Sequence, residues 1–566
     1  MLDWDSLPTW MPKSVSALSH YNTRTLASDV IAGMTVGLVA LPLSMAFAIA
    51  SGLPPQAGIY CAIVTGFVIS LLGGSMTQIG GPTGAFVVVI AGIYARHGLS
   101  GLYMCTMMAG VMLAIMGLTG LGTAIKFIPR PIVVGFTNGI ALLIASTQLK
   151  DFFGLKVDKV PGEFLGRIET LAQHALTFSL SETILAGASL LVILSFARFA
   201  PKVPGAIVVL FGSTAAVILF HLPVATIGSR FGGIPAGLPT AHIPAFEPAL
   251  FWTLLGPATT VALLGAIESL LSAVVADGMT GGERHNSNTE LFGQGIANIV
   301  SPIFGGLPAT GAIARTATNI RSGAKTPVAG IVHSLTLLVV LLVAAPLAKN
   351  VPLAALAAIL MVVAWNMGEW RELSKVFQQT YADVAVWAAT FTLTVFADLT
   401  VAVQFGMILA ALLFIGRIAN TTTVSQVTHD YLKGGLKHIL QDKDIPPYAT
   451  ILRIHGPFLF GSTDKLVEWE AKIPEFPPIV LLRLRNMTAL DATGLHAIVE
   501  FASKLQATNR TMIVCGALPQ PLQLMKRAKF RRVVGIENVC VDIETALERA
   551  QTIYKSMPRE YSFDEG

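Results

Sequence analysis

Between Asp29 and Lys126 the only fully charged side chain is Arg96. A stretch of that length cannot be kept in water as an ordinary solvated fold, so the chain reads as a polytopic membrane protein. The whole composition agrees. Only 13% of the 566 residues are charged and 53% are hydrophobic, whereas soluble domains carry about 25% charged residues. Collagenous, disordered and disulfide-stapled chains are excluded on the same grounds. The four cysteines (Cys61, Cys105, Cys515, Cys540) are scattered without metal-ligand spacing, so no disulfide, metal or cofactor is expected. A net charge of +5 is too small over this length to suggest nucleic-acid binding.

Charge is unevenly spread. Residues 423–566 hold 34 of the 71 charged side chains, which restores soluble-like composition to that quarter of the chain. The first 29 residues lack a basic region followed by an apolar run and a cleavage site, so no cleaved signal peptide is expected. Trp4 and Trp10 suit a short interfacial segment there.

Apolar runs that suit spanning helices begin near Val30, Gly58, Gly101, Pro131, Glu182, Gly205, Phe251, Leu291, Pro327, Leu353, Ala382 and Leu399. Two further segments, Pro82–Ile93 and Thr310–Ile320, are too short or too glycine-rich to span alone. Counting them as third and tenth gives fourteen. Loop charges support that count. Lys126 and Arg130 follow segment 4, Arg198 and Lys202 follow 6, Arg284 follows 8, Arg321 and Lys325 follow 10, and Arg371 and Lys375 follow 12. Basic residues thus cluster after even-numbered segments, which places both termini in the cytoplasm and the protein in the inner (plasma) membrane.

The two short segments are related. Gly80-Gly81-Pro82-Thr83-Gly84-Ala85 recurs, two residues longer, as Gly305-Gly306-Leu307-Pro308-Ala309-Thr310-Gly311-Ala312. Each is third in a set of seven, yet by parity one runs outward and the other inward, so the two sets form a 7+7 inverted repeat. Paired half-helices interrupted by glycine and proline in such repeats point to a secondary transporter with its site near the bilayer midplane.

A broken helix exposes its first amides and the positive end of its dipole, which together bind anions. The expected donors are the backbones of Gly84, Ala85 and Phe86, next to Thr83, and those of Ala312, Ile313, Ala314 and Arg315. Arg315 adds a fixed charge and a planar donor fork suited to carboxylates or tetrahedral oxyanions. Glu268 lies deep in an apolar span, where an ionised carboxylate costs about 2.5 to 3.5 kcal/mol on insertion scales. It must be protonated or paired. A carboxyl that loses its proton when an anion leaves and regains it when one arrives is the minimum for proton-coupled uptake. Ser272, one turn on, shares its face and can bond Glu268 or line the site; a permanent Glu268 to Arg315 pair that only holds the bundle is the structural alternative. Asp277 and Asp398 read as interfacial or capping residues.

These residues carry a resemblance. The run His285-Asn286-Ser287-Asn288-Thr289-Glu290-Leu291-Phe292-Gly293-Gln294-Gly295-Ile296-Ala297-Asn298-Ile299, then Gly305-Gly306, Thr310-Gly311-Ala312 and Ala314-Arg315-Thr316, resembles the SulP (sulfate permease) anion transporter family. So do Pro42-Leu43-Ser44-Met45-Ala46 and Gly52-Leu53-Pro54-Pro55. The resemblance implies a polytopic α-helical membrane protein with 14 transmembrane segments as core and gate, a homodimer, anion binding between segments 1, 3, 8 and 10, and a small α/β STAS domain as the tail. Sulfate-carrying members often have Gln where this chain has Leu43, which resembles the C4-dicarboxylate and bicarbonate branches. Residues 265–281 and 364–367 look close to the bacterial C4-dicarboxylate branch. Sodium-coupled bicarbonate members typically place Asp at the position of Glu268 and lack an arginine at that of Arg315, so the proton is the expected coupling ion.

In the tail, Ala449–Ile454, Ile479–Arg485 and Thr511–Cys515 are strand-like and alternate with helical patterns at Ser462–Lys472, Thr493–Leu505 and Pro519–Phe530. Leu490-Asp491-Ala492-Thr493-Gly494-Leu495 resembles the phosphorylation loop of STAS domains. The resemblance makes Thr493 a candidate regulatory site; its simpler reading is a helix N-cap. Lys526, Arg527, Lys529, Arg531 and Arg532 suit a solvated or headgroup-facing surface, with a cytoplasmic protein partner as the alternative. The expected divisions are a cytoplasmic N-terminal segment (1–28), a transport domain (29–420), a linker (421–445), the STAS domain (446–556) and a tail (557–566).

The leading expectation is a secondary active transporter that takes up a divalent anion with protons, sulfate first and a C4-dicarboxylate such as succinate or fumarate second. Bicarbonate transport, a passive anion channel or exchanger, and a non-transporting anion sensor are the competing readings. No Ser/His/Asp, zinc or P-loop constellation suggests an enzyme.

Overall fold

The computed structural model describes residues 10–18, 21–123, 129–157, 160–201, 203–235, 237, 240–281, 283–397, 399–427 and 445–557. Trp4, Lys126, Lys202, Asp398, most of the 421–445 linker and nearly all of the 557–566 tail lie outside these. By contacts the chain forms two units, Met1–Ile408 and Leu409–Gly566.

All fourteen expected segments are helices. Segment 1 is Thr23–Ala50 and segment 2 is Pro55–Leu72. Segments 3 and 4 share the helical run Gly84–Leu118, divided at Gly98 by φ 64°. Segments 5 to 8 are Arg130–Phe153, Leu180–Phe199, Gly205–Phe220 and Phe251–Thr280. Segments 9 to 12 are Ser287–Val300, Ile313–Arg321, Val328–Ala348 and Leu353–Met367; segments 13 and 14 are Tyr381–Phe396 and Leu399–Thr421. Segment 10, at nine residues, rises about 14 Å, half of a ~30 Å hydrocarbon core.

Segments 1–4 pack with 8–11, while 5, 6, 7, 12 and 13 pack among themselves, and segment 12 lies against segment 1. This is the expected division into core and gate. Small residues permit the close approaches: a Cβ on Gly295 of segment 9 would collide with the backbone of Gly110 and Ala114 in segment 4.

Asp29 ties the start of segment 1 to the start of segment 11. It is fully buried and accepts the Lys325 amide at 2.7 Å, the Thr326 amide at 3.2 Å and the Thr326 hydroxyl at 2.5 Å. Hydrogen bonds to a charged group are worth about 1.5–3 kcal/mol each. Asp29→Ala therefore lowers the melting temperature of the detergent-solubilised protein by several degrees; an unchanged melting curve would show that this tie is dispensable.

The second unit is a five-stranded sheet in the order β3 Thr423–Gln426, β4 Ala449–Phe458, β5 Ile479–Leu490, β6 Thr511–Cys515, β7 Val539–Cys540, antiparallel only between β3 and β4. Side chains alternate between faces. Leu452, Ile454, Val480 and Leu482 pack with Leu495, Ile498 and Phe501 of helix Ala492–Ala507. Ile451, Ile479, Leu481 and Ile513 pack with Ile543, Ala546 and Ala550 of helix Ile543–Ser556. The helix expected over Ser462–Lys472 is present only as one α-helical turn, Asp464–Val467, followed by a 3-10 stretch, Glu470–Glu475, that contains Pro474.

Candidate functional site

Two short strands, β1 Gly80–Gly81 and β2 Thr310–Gly311, pair antiparallel in the buried centre of the core. Antiparallel pairing makes the two chains leave the ladder at opposite ends. Segment 3 then begins at Gly84 after the extended residue Thr83, and segment 10 begins at Ile313 after Ala312. Both half-helices therefore start at the ladder and run away from it, which brings two positive dipole ends to one place.

Among the described residues, the first-turn amides of Gly84 and Ala85, and those of Ile313, Ala314 and Arg315, have no acceptor. The buried Thr83 hydroxyl has no partner either. Two expected donors are otherwise engaged. The Ala312 amide donates to the Ile79 carbonyl at 2.8 Å, and the Phe86 amide reaches the Thr83 carbonyl at 3.3 Å. Strand pairing extends one residue past β2 and closes the first of these. The opening at Gly84 is covered by Phe47 from segment 1, Ile144 from segment 5 and Met367 at the end of segment 12, all within about van der Waals reach of a Cβ placed there. Core and gate side chains thus meet over the start of this half-helix.

Arg315 is 2% exposed. Its Nη2 donates to the Ser44 hydroxyl at 3.2 Å and to the Pro82 carbonyl at 3.0 Å, while Nη1 lies over Gly81 without an acceptor. No carboxylate is within ion-pair distance of it among the described residues, so the expected alternative of a Glu268 to Arg315 bridge is absent. The result is a buried positive charge, held by neutral oxygens, with one donor arm unused. Leu43 precedes the Ser44 that holds it.

Segment 8 is fastened to the ladder and to the residues beside it by three bonds. Thr310 donates its hydroxyl to the Gly265 carbonyl at 2.9 Å, Gln78 donates to the Ser269 hydroxyl at 3.0 Å, and the Ser272 and Thr316 hydroxyls meet at 3.0 Å. Ser272 thus braces segment 10; of its two expected roles, to bond Glu268 or to line the site, the first is not found among the described residues. Glu268, 8% exposed, forms no ion pair or hydrogen bond among the described residues. Asp277 accepts the His285 amide through both oxygens and pairs with its ring at 2.7 Å, while the cap of the next helix is Asn286.

Sequence reasoning missed Glu290 and Gln78. Glu290 is fully buried and accepts from the Gly74 amide at 2.9 Å, Gln294 at 3.1 Å and Ser269 at 3.4 Å. An acidic residue inside the quoted motif run was the available signal.

In the tail, the N-cap of helix Ala492–Ala507 is Asp491, which accepts the Gly494 amide at 2.7 Å. Thr493 is an exposed residue of the first turn, not the cap. Lys526, Arg527, Lys529, Arg531 and Arg532 are all exposed. Among the described residues no group of three His, Cys, Asp or Glu could hold a metal.

The sulfate permease family matches residues 26–390, and the STAS domain matches 441–546. The chain is 43% identical over 518 residues to YvdB of Bacillus subtilis (strain 168), covering 91% of this chain and 96% of that one. It is similar to the solved transmembrane domain of a cyanobacterium bicarbonate transporter, BicA, at TM-score 0.60 and 33% identity, over 69% of this chain and 98% of that one. The murine Solute Carrier 26 family member A9 anion transporter shares the fold at TM-score 0.84 and 18% identity, over 96% and 94% of the two chains.

Proposed function

This chain belongs to the sulfate permease family and is a multi-pass membrane anion transporter of that class, not an enzyme; from that premise we propose that it takes up a divalent anion, sulfate first, together with protons. The observation that carries the reading is the pair of half-helix starts at one buried ladder, with the unused Nη1 of Arg315 beside them. The anion is held by the amides of Gly84, Ala85, Ile313, Ala314 and Arg315 and by the Thr83 hydroxyl, with Leu43, Phe86 and Ala312 as neighbours and Ser272 as a brace. Glu268 is the proton carrier. The protein works as a homodimer in the inner membrane with both termini cytoplasmic. Its tail answers to a cytoplasmic partner and to phosphorylation at Thr493, whose place in a helix first turn suits added negative charge.

A C4-dicarboxylate is the second reading, favoured by Leu43 where sulfate carriers often have Gln. The test is uptake of labelled sulfate and succinate by the purified protein in liposomes, side by side, with an inward proton gradient. Gradient-driven sulfate accumulation is expected. Succinate without sulfate would move the chain to the second reading, and neither anion would overturn both.

A further inference from the structure

The start of segment 3 is covered by three side chains from other helices. A Cβ placed on Gly84 would lie 3.1 Å from the Met367 sulfur, 3.1 Å from Ile144 Cδ1 and 3.4 Å from Phe47 Cε1. Phe47 belongs to segment 1 of the core, and Ile144 and Met367 belong to segments 5 and 12 of the gate. The three are not equally free to move. Ile144 is fully buried and Phe47 is 5% exposed, and a β-branched or aromatic side chain in a close-packed interior has little freedom to turn. Met367 is only partly buried, and methionine is unbranched with three rotatable bonds. It is the part of the cover that can yield.

Its backbone, by contrast, is fixed. Met367 ends segment 12, where the Gly368 amide donates to the Ala364 carbonyl at 3.1 Å and the Trp370 amide to the Gly368 carbonyl at 2.6 Å. The Trp370 ring donates to the Trp365 carbonyl at 2.8 Å, and the two ring centres are 5.5 Å apart. A Cβ on Gly368 would come within 2.5 Å of the Trp370 ring, so this turn has no slack. The thioether therefore reaches Gly84 from a set position and offers neither charge nor a hydrogen-bond donor. It acts on an anion by occupying space. On the core side the ladder and Arg315 close the site, so an anion longer than one tetrahedral group has to extend towards the gate, where Met367 stands.

We propose that Met367 is a specificity-determining residue: its thioether fills the space beside the Gly84 amide, which leaves room for a single tetrahedral oxyanion such as sulfate and excludes the methylene spacer and second carboxylate of succinate. This rests on the placement of the anion at the half-helix starts given above. One methylene more or less in a pocket changes discrimination by about 10- to 200-fold, and Met367→Ala removes everything beyond Cβ.

The test uses the full chain in liposomes and reads the ratio of labelled succinate uptake to labelled sulfate uptake. Met367→Ala is expected to raise that ratio by about 10-fold or more, through succinate uptake that wild type lacks. Met367→Leu, which nearly conserves volume, is expected to keep the wild-type ratio. An unchanged ratio in the Ala variant, or an equal rise in the Leu variant, would overturn the role of Met367 while leaving the anion site intact. If the Ala variant carries neither anion, Met367→Val decides in its place: a smaller rise is expected, and no rise overturns the proposal. Wild type that prefers succinate would also overturn it, whereas wild type that carries neither anion would sink the placement of the anion, and the role of Met367 with it.

Discussion

Arg315→Gln reduces sulfate uptake by about 10- to 150-fold, the equivalent of one lost hydrogen bond to a charged group at about 1.5–3 kcal/mol. The glutamine amide can still serve Ser44 or Pro82, so the ladder is kept while the charge and the unused donor are lost. Arg315→Lys is expected to fail nearly as badly. A compact ammonium cannot reach both Ser44 and the Pro82 carbonyl and still present a third donor in a fixed direction. Uptake is read per amount of protein in the membrane, so that a folding loss is not mistaken for a binding loss. Rates for both variants close to wild type would remove Arg315 from the site.

Gly81→Ala is expected to be as damaging for a different reason. Gly81 has φ 155°, and its added Cβ would occupy the place of the Arg315 Nη1. Backbone strain of this kind costs on the order of 1–3 kcal/mol, and the guanidinium must also leave its two acceptors. The control is Gly92→Ala on the same half-helix, where a Cβ meets nothing within 4 Å. Transport is expected to collapse in the first variant and to be unchanged in the second. Equal activity in the two would show that the ladder tolerates displacement of Arg315.

Much of this arrangement was legible in the residues. Segment number follows from hydropathy, and the inverted relation of segments 3 and 10 follows from the repeated Gly-Gly and Thr-Gly-Ala elements combined with loop charge. Both are local or periodic signals. The parts that were not legible are contacts between residues far apart in the chain. Ser272 faces Thr316 and not Glu268, and the Ala312 amide is closed by Ile79. Periodicity says which side of a helix a residue occupies but not which partner waits there. Asp29 was visible only as the first residue of the expected transport domain, yet it accepts two backbone amides almost 300 residues later. The polar edge strand Thr423–Gln426 has no apolar alternation to announce it, and β7 is only two residues long. In the 490–495 loop the cap fell to Asp491, a stronger acceptor for the Gly494 amide than the threonine two residues on.

The same distinction applies to Glu268. Its depth in an apolar span was visible in sequence, but its lack of a partner among the described residues needed the structure. A carboxyl permanently bonded to Arg315 would be a brace; one without a partner in a core helix is suited to exchange a proton with each cycle.

The most direct measurement follows proton entry. A pH-sensitive dye trapped inside proteoliposomes is read as sulfate is added outside, with wild type and Glu268→Gln in parallel. The account predicts internal acidification on sulfate addition in wild type and none in the variant. Sulfate that enters wild-type vesicles without any acidification would contradict it.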